Sequence, residues 1–63
     1  MYPKCDKEIS QIVDALISVG ESDTSFKHRR EIAEANGILN YVGEPTQNNR
    51  MLALLHNGKL RKA

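Results

Sequence analysis

A single cysteine, Cys5, in 63 residues rules out an internal disulfide and a thiolate-cluster metal site. A lone thiol near a chain end reads as a bystander and leaves the redox compartment open. No apolar run approaches the roughly 20 residues that a membrane span requires. The first residues also lack the apolar segment of a signal peptide. A net charge of +1 gives no strong electrostatic instruction, whereas a domain that lives on phosphate backbones is usually far more basic. The one basic cluster, Lys59-Leu60-Arg61-Lys62, reads as a solvated chain end with cations near a helix C-terminus.

Catalytic signatures are missing too. No glycine-rich phosphate loop follows a strand, and no serine sits in a nucleophile motif. His28 and His56 fall on different helices. Glu31 stands three residues after His28, but one such pair is a weak metal signal and reads as surface. The carboxylates fall on exposed helix faces and caps. No catalytic group, metal or cofactor is expected, and a chain this short leaves little room for a deep enzymatic cleft.

What is present is helical. Ile9, Ile12, Val13 and Leu16 follow i, i+3, i+4, i+7 spacing, which predicts a first helix over about Lys7 to Val19 with Asp6 as N-cap. Ile17 and Val19 widen its apolar stripe. A polar turn, Glu21 to Ser25, leads to a second helix over about Ser25 to Asn36. Phe26, Ile32, Ala33 and Ala35 supply its apolar contacts, with Lys27–Glu31 and Arg30–Glu34 as surface pairs. A third helix runs from Pro45, which suits a first helical position, to about Asn57 and buries Met51, Leu52, Leu54 and Leu55.

Both later helices end in Asn-Gly, at Asn36-Gly37 and Asn57-Gly58, with an apolar residue soon after at Ile38 and Leu60. Glycine past a helix end takes the left-handed conformation without a Cβ clash, and the apolar residue folds back on the last turn. Between these helices, residues 38–43 are too apolar for a free loop and too short for a sheet. They read as an extended connector over the core. The expected fold is all-α: a compact three-helix bundle with a short extended connector between helices two and three. Residues 1–6, with Tyr2-Pro3-Lys4, read as a linker end or the start of an excised piece, and 7–63 as the domain.

Several residues are candidates for ligand contact. Tyr41 lies in the connector between glycines, where a half-exposed ring could stack on a sugar face, although core packing with the hydroxyl at the surface is commoner. Arg29 falls among Phe26, Ile32 and Ala33, with its stem on the core and its guanidinium at the edge, in an ion pair with Asp14 or facing a ligand. Gln47 and Asn48 share the buried face of helix three by spacing. For Gln47 a capping-box contact to the helix start competes with ligand contact. Arg50 completes the polar run Gln47-Asn48-Asn49-Arg50, whose side chains also suit adenine and guanine edges. That run, with Ala33 and Gly37, makes a helix-turn-helix DNA-binding regulator the alternative reading. Gly43 and Pro45 stand where a recognition helix should begin, and the near-neutral charge also opposes it, so nucleic acid is not the favoured partner.

Taken in order, Ile12-Val13-Asp14-Ala15-Leu16, Val19-Gly20, Ser25-Phe26, Arg29, Ile32 through Ile38, Tyr41-Val42-Gly43, Gln47-Asn48 and Leu52 through Leu60 form a distinctive series. In it the chain resembles the small C-terminal cell-wall-binding domains of phage endolysins and bacterial autolysins. Those enzymes are N-acetylmuramoyl-L-alanine amidases or lysozymes of Gram-positive bacteria and their phages. The resemblance extends from Ile9 to Lys62, with a departure at Glu44-Pro45, where a Thr-Ala opening is expected. It implies a non-catalytic module that binds peptidoglycan or an attached wall polymer and is covalently linked to a catalytic domain. It also implies a location at the bacterial wall after lysis or secretion, with no membrane partner. It does not assign the contact residues. With so small a core, pairing of two chains through Leu39 and Val42 stays open as a source of avidity.

Overall fold

The computed structural model describes all of residues 1–63 and contains three helices and no strand: α1 (Ile12–Ser18), α2 (Phe26–Ala35) and α3 (Pro45–His56). The all-α, three-helix expectation holds. A connector without regular secondary structure links α2 to α3 across residues 38–44. Its length separates α3 from the glycine turn by far more than the 3–4-residue link of a helix-turn-helix.

α1 begins later than its apolar spacing suggests. Asp6 does not cap it. The Asp6 carboxylate accepts the Glu8 N–H at 2.9 Å, and the Asp6 carbonyl accepts the Ile9 N–H at 3.0 Å. This local turn competes with helix, as short polar side chains often do. The Ile9 carbonyl is then taken by the His56 Nε2–H at 2.9 Å, a tertiary bond from the last residue of α3. Gln11 is extended and serves as the N-cap without a side-chain bond. Ile9 and Val13 pack on the core as expected, but Ile17 is exposed.

α2 starts where Ser25 accepts the His28 N–H. Only Ile32 and Ala33 of its apolar residues are buried; Phe26 and Ala35 are exposed. The helix is too polar to bury more than a narrow stripe. The expected Lys27–Glu31 and Arg30–Glu34 pairs do not form within ion-pair distance, and Glu31 instead meets His28. α3 has Glu44 as N-cap and Pro45 at its first position. Gln47 Oε1 accepts the Glu44 N–H at 3.3 Å, the capping-box contact expected for it. Met51, Leu52 and Leu55 are buried and Leu54 partly so.

The helix stops act as the sequence requires. Gly37 has φ 77° and Gly58 φ 69°. At α2 the Gly37 N–H bonds the Glu34 carbonyl and the Ile38 N–H the Ala33 carbonyl; at α3 Gly58 bonds Leu55 and Lys59 bonds Leu54. This paired arrangement satisfies carbonyls that the helix end would leave bare. Ile38 and Leu60 then turn inward and are buried.

The first six residues pack as part of the body, unlike a linker. Tyr2 and Cys5 belong to the core with Leu16, Ile32, Met51, Leu55 and Leu60. The Tyr2 N–H bonds the Leu60 carbonyl at 2.9 Å and the Cys5 N–H the Leu55 carbonyl at 3.2 Å, so the two chain ends close on each other. Burial raises the Cys5 thiol pKa, which keeps it protonated and unreactive at neutral pH. Asn36 completes the closure. Its side-chain amide donates to the Arg61 carbonyl at 2.9 Å and accepts the Arg61 N–H at 2.8 Å, fastening the tail to the end of α2.

A Cβ built on Gly37 meets no atom within 4 Å, so substitution there is penalised by backbone conformation alone. Gly37→Ala is expected to destabilise the fold by about 1–2 kcal/mol. Gly37→Asn should cost less and Gly37→Val more, because asparagine tolerates positive φ and β-branched residues resist it. Urea denaturation orders the three. Identical midpoints would show that the left-handed residue does not limit stability.

Candidate functional site

The connector brings four of the five ligand candidates into one polar network. Gln47 Oε1 accepts the Val42 N–H at 2.9 Å in addition to the Glu44 N–H, and its Nε2 donates to the Asn40 carbonyl at 3.1 Å. Asn40 itself is held at positive φ, 57°. One residue further on, Asn48 Nδ2 donates to the Gly43 carbonyl at 3.2 Å, and its Oδ1 accepts the Tyr41 hydroxyl proton. The first turn of α3 thus grips the connector from Asn40 to Glu44.

Tyr41 is the hub. Its side chain is 3 % exposed, so the ring packs in the core rather than standing half free. The hydroxyl donates to Asn48 and accepts from Arg29 Nη1 at 3.2 Å, tying α2 to α3. A ligand cannot stack on the face of this tyrosine. The reason is the connector's path: with Ile38 and Tyr41 both turned inward, Leu39 and Val42 are left outside at 68 % and 62 % exposure.

Arg29 does not pair with Asp14. Its Nε–H donates to the Thr24 carbonyl at 3.1 Å, and no carboxylate comes within 4.0 Å of the guanidinium, since the ion pairs of the molecule both involve His28. Arg50 is exposed on α3 and has no hydrogen-bond or ion-pair partner in the molecule. It stands apart from the network.

Phe26, expected among the apolar contacts of the second helix, is 45 % exposed. It lies 5.5 Å from the Tyr41 ring centroid at a 34° tilt, with the Arg29 guanidinium carbon 6.0 Å from its own centroid. A signal for this was available: position 26 immediately follows the N-cap, where a side chain hangs over the helix start rather than the core. Spacing alone cannot tell which side that is.

A second cluster gathers charge on the other side of His28. Glu21 accepts the Tyr2 hydroxyl and the His28 Nε2–H at 3.1 Å, while His28 Nδ1 meets Glu31 at 2.9 Å. The Tyr2 phenol is pushed up by burial and by Glu21, and so stays protonated. Glu21 is held below its ordinary carboxylate range, first by the Tyr2 hydroxyl and then by the Asp23 N–H. His28 is raised above its usual value, first by Glu31 and then by Glu21. The cluster joins the N-terminal segment to α2. The surface shows no pocket.

The architecture is compact and all-α, with three helices and no strand. No protein-family model matches the sequence, and no solved structure matches it. Over 43 residues, 68 % of its length, the chain is 42 % identical to the L-alanyl-D-glutamate peptidase of Listeria phage A118. Those residues make up 15 % of that protein, so the chain spans only a small part of its relative. The enzyme class of this relative is peptidase, where the resemblance had led to an amidase or lysozyme.

The pKa directions set a pH window. His28, raised on folding, adds stability that is present in full below its ordinary value of 6.5 and fades as pH rises through its folded value. Glu21, lowered on folding, adds stability present above its ordinary value of 4.5 and lost as pH falls through its folded value. Asp23 is also lowered, chiefly by Ser25, and acts in the same sense as Glu21. His28→Gln should therefore lower the thermal midpoint most near about pH 5.5, with the difference from wild type shrinking toward about pH 9. A constant difference across that range would separate the ring's charge from its role.

Proposed function

We propose that this chain is a non-catalytic module that holds a peptidoglycan hydrolase on the Gram-positive bacterial wall. The observation that carries this is the likeness to a small fraction of a phage peptidase. The bond named in that enzyme, L-alanyl to D-glutamate, belongs to the peptide stem of peptidoglycan. The linked catalytic domain is accordingly proposed as a peptidase rather than an amidase or lysozyme. The working place is the wall, reached by lysis or secretion. No helix is long and apolar enough to cross a membrane.

The fold supports a binding role on physical grounds. A chain that closes its own ends and spends its buried polar groups internally offers a rigid face and no cleft. Arg29 and Arg50 are proposed to meet the wall, with the Tyr41 hydroxyl holding Arg29 in place. Gln47 and Asn48 have both ends of their amides engaged within the chain, and act by fixing the connector.

A fluorescent fusion of the chain should label Gram-positive walls, and a fusion that labels none would overturn the reading. Salt-sensitive retardation of duplex DNA would favour a regulator instead. Tyr41→Ala would chiefly empty the core, so the informative change is Tyr41→Phe. It should leave the domain folded, by circular dichroism, and weaken wall binding several-fold as Arg29 loses its acceptor. Unchanged binding by the folded variant would remove Tyr41 from the site. A second copy of the chain is the proposed partner for Leu39 and Val42. Sedimentation equilibrium should then show a mass that rises with concentration and falls back to monomer in Leu39→Ser/Val42→Ser, and a monomer at every concentration would count against pairing.

A further inference from the structure

Arg29 differs from every other lysine and arginine of the chain. The other eight of the nine are exposed, and Arg29 alone is half-buried. A partly desolvated charge is normally balanced by a counter-charge, yet Arg29 is held by neutral groups only, the Thr24 carbonyl and the Tyr41 hydroxyl. A guanidinium has five N–H donors; two are used in these bonds, which leaves three. No buried side-chain polar atom in the molecule lacks a partner, so the unbonded nitrogen of this half-buried residue reaches solvent. The result is an oriented, uncompensated planar fork at the surface, the geometry that takes a carboxylate or phosphate through paired hydrogen bonds.

The neighbouring groups narrow the ligand further. The Phe26 ring sits against the fork with nearly half its surface open. A Cβ at Gly43 would stand 3.7 Å from that ring, so the connector carries no side chain over its edge. A half-exposed aromatic ring beside a cation suits a ligand with an apolar ring face next to an anionic group. The amides of Gln47 and Asn48 spend their oxygens and one N–H each inside the chain, so Arg29, with three free N–H groups, holds most of the unspent donors of the network.

We propose that Arg29 and Phe26 form a receptor for an anionic group, carboxylate or phosphate, borne beside a saccharide ring of the wall. This rests on the wall-binding reading above and names the chemistry that Arg29 recognises.

The test uses the whole chain. Binding to purified Gram-positive walls is measured for wild type, Arg29→Gln, Arg29→Lys, Phe26→Ala and the exposed-site control Lys7→Gln, each checked for folding by circular dichroism. Arg29→Gln should weaken binding at least about tenfold. Phe26→Ala should weaken it less, Arg29→Lys should recover only part, and Lys7→Gln should match wild type. Walls stripped of phosphodiester-linked polymers give the second arm: retained binding assigns the anion to peptidoglycan carboxylates, and lost binding to polymer phosphate. Folded Arg29→Gln that binds like wild type overturns the receptor and leaves the wall-binding reading standing. If wild type binds no wall, that reading fails. Titration of the wild-type chain with inorganic phosphate and with acetate at constant ionic strength then decides the anion site. A saturable shift of the Arg29 Nε–H resonance in a nitrogen–proton correlation spectrum supports it, and a linear or absent shift overturns it.

Discussion

The positive φ at Gly37 is the constraint on which the rest of the structure depends. It lets the last carbonyls of α2 be satisfied by Gly37 and Ile38, and it points the chain back over the core instead of away from it. Ile38 is buried as a direct result, and the positive φ at Asn40 then breaks the alternation of the connector, so that Tyr41 also turns inward while Leu39 and Val42 face out. The Tyr41 hydroxyl can then bridge Arg29 on α2 and Asn48 on α3. A different exit from α2 would leave neither helix in reach of the other through this residue.

The polar groups around the connector divide into those that build and those that remain available. Gln47 and Asn48 replace the missing partners of an extended segment that has no strand beside it, which is why a stretch without regular structure can be well defined. Arg29 braces the same assembly but keeps donors free. The wall-binding proposal and the anion receptor both draw on this division: rigidity comes from neutral amides and carbonyls, and recognition from the one half-buried arginine, which has no counter-charge.

Stability in so short a chain depends on closing its ends. Tyr2 and Leu60 pair through the backbone, Asn36 grips Arg61, and His56 holds Ile9. A small domain buries a modest fraction of its surface, so recruiting Tyr2 and Cys5 to the core adds apolar area that the three helices alone do not supply. The Glu21 cluster ties the same N-terminal tyrosine to α2.

Helix number, the Asn-Gly stops, the inward turns of Ile38 and Leu60, the start of α3 at Pro45 and the capping role of Gln47 were legible in the sequence. Each is governed by contacts within a few residues, where propensity, capping and glycine conformation act directly. The late start of α1, the burial of Tyr2, the exposure of Phe26 and Ile17, and the neutral surroundings of Arg29 were decided only by tertiary structure. Each depends on groups distant in the chain: His56 on Ile9, Leu60 on Tyr2, Tyr41 on Arg29. Periodicity says that a face is apolar, but only packing decides which residues at its edge are covered and which charge is left without a partner.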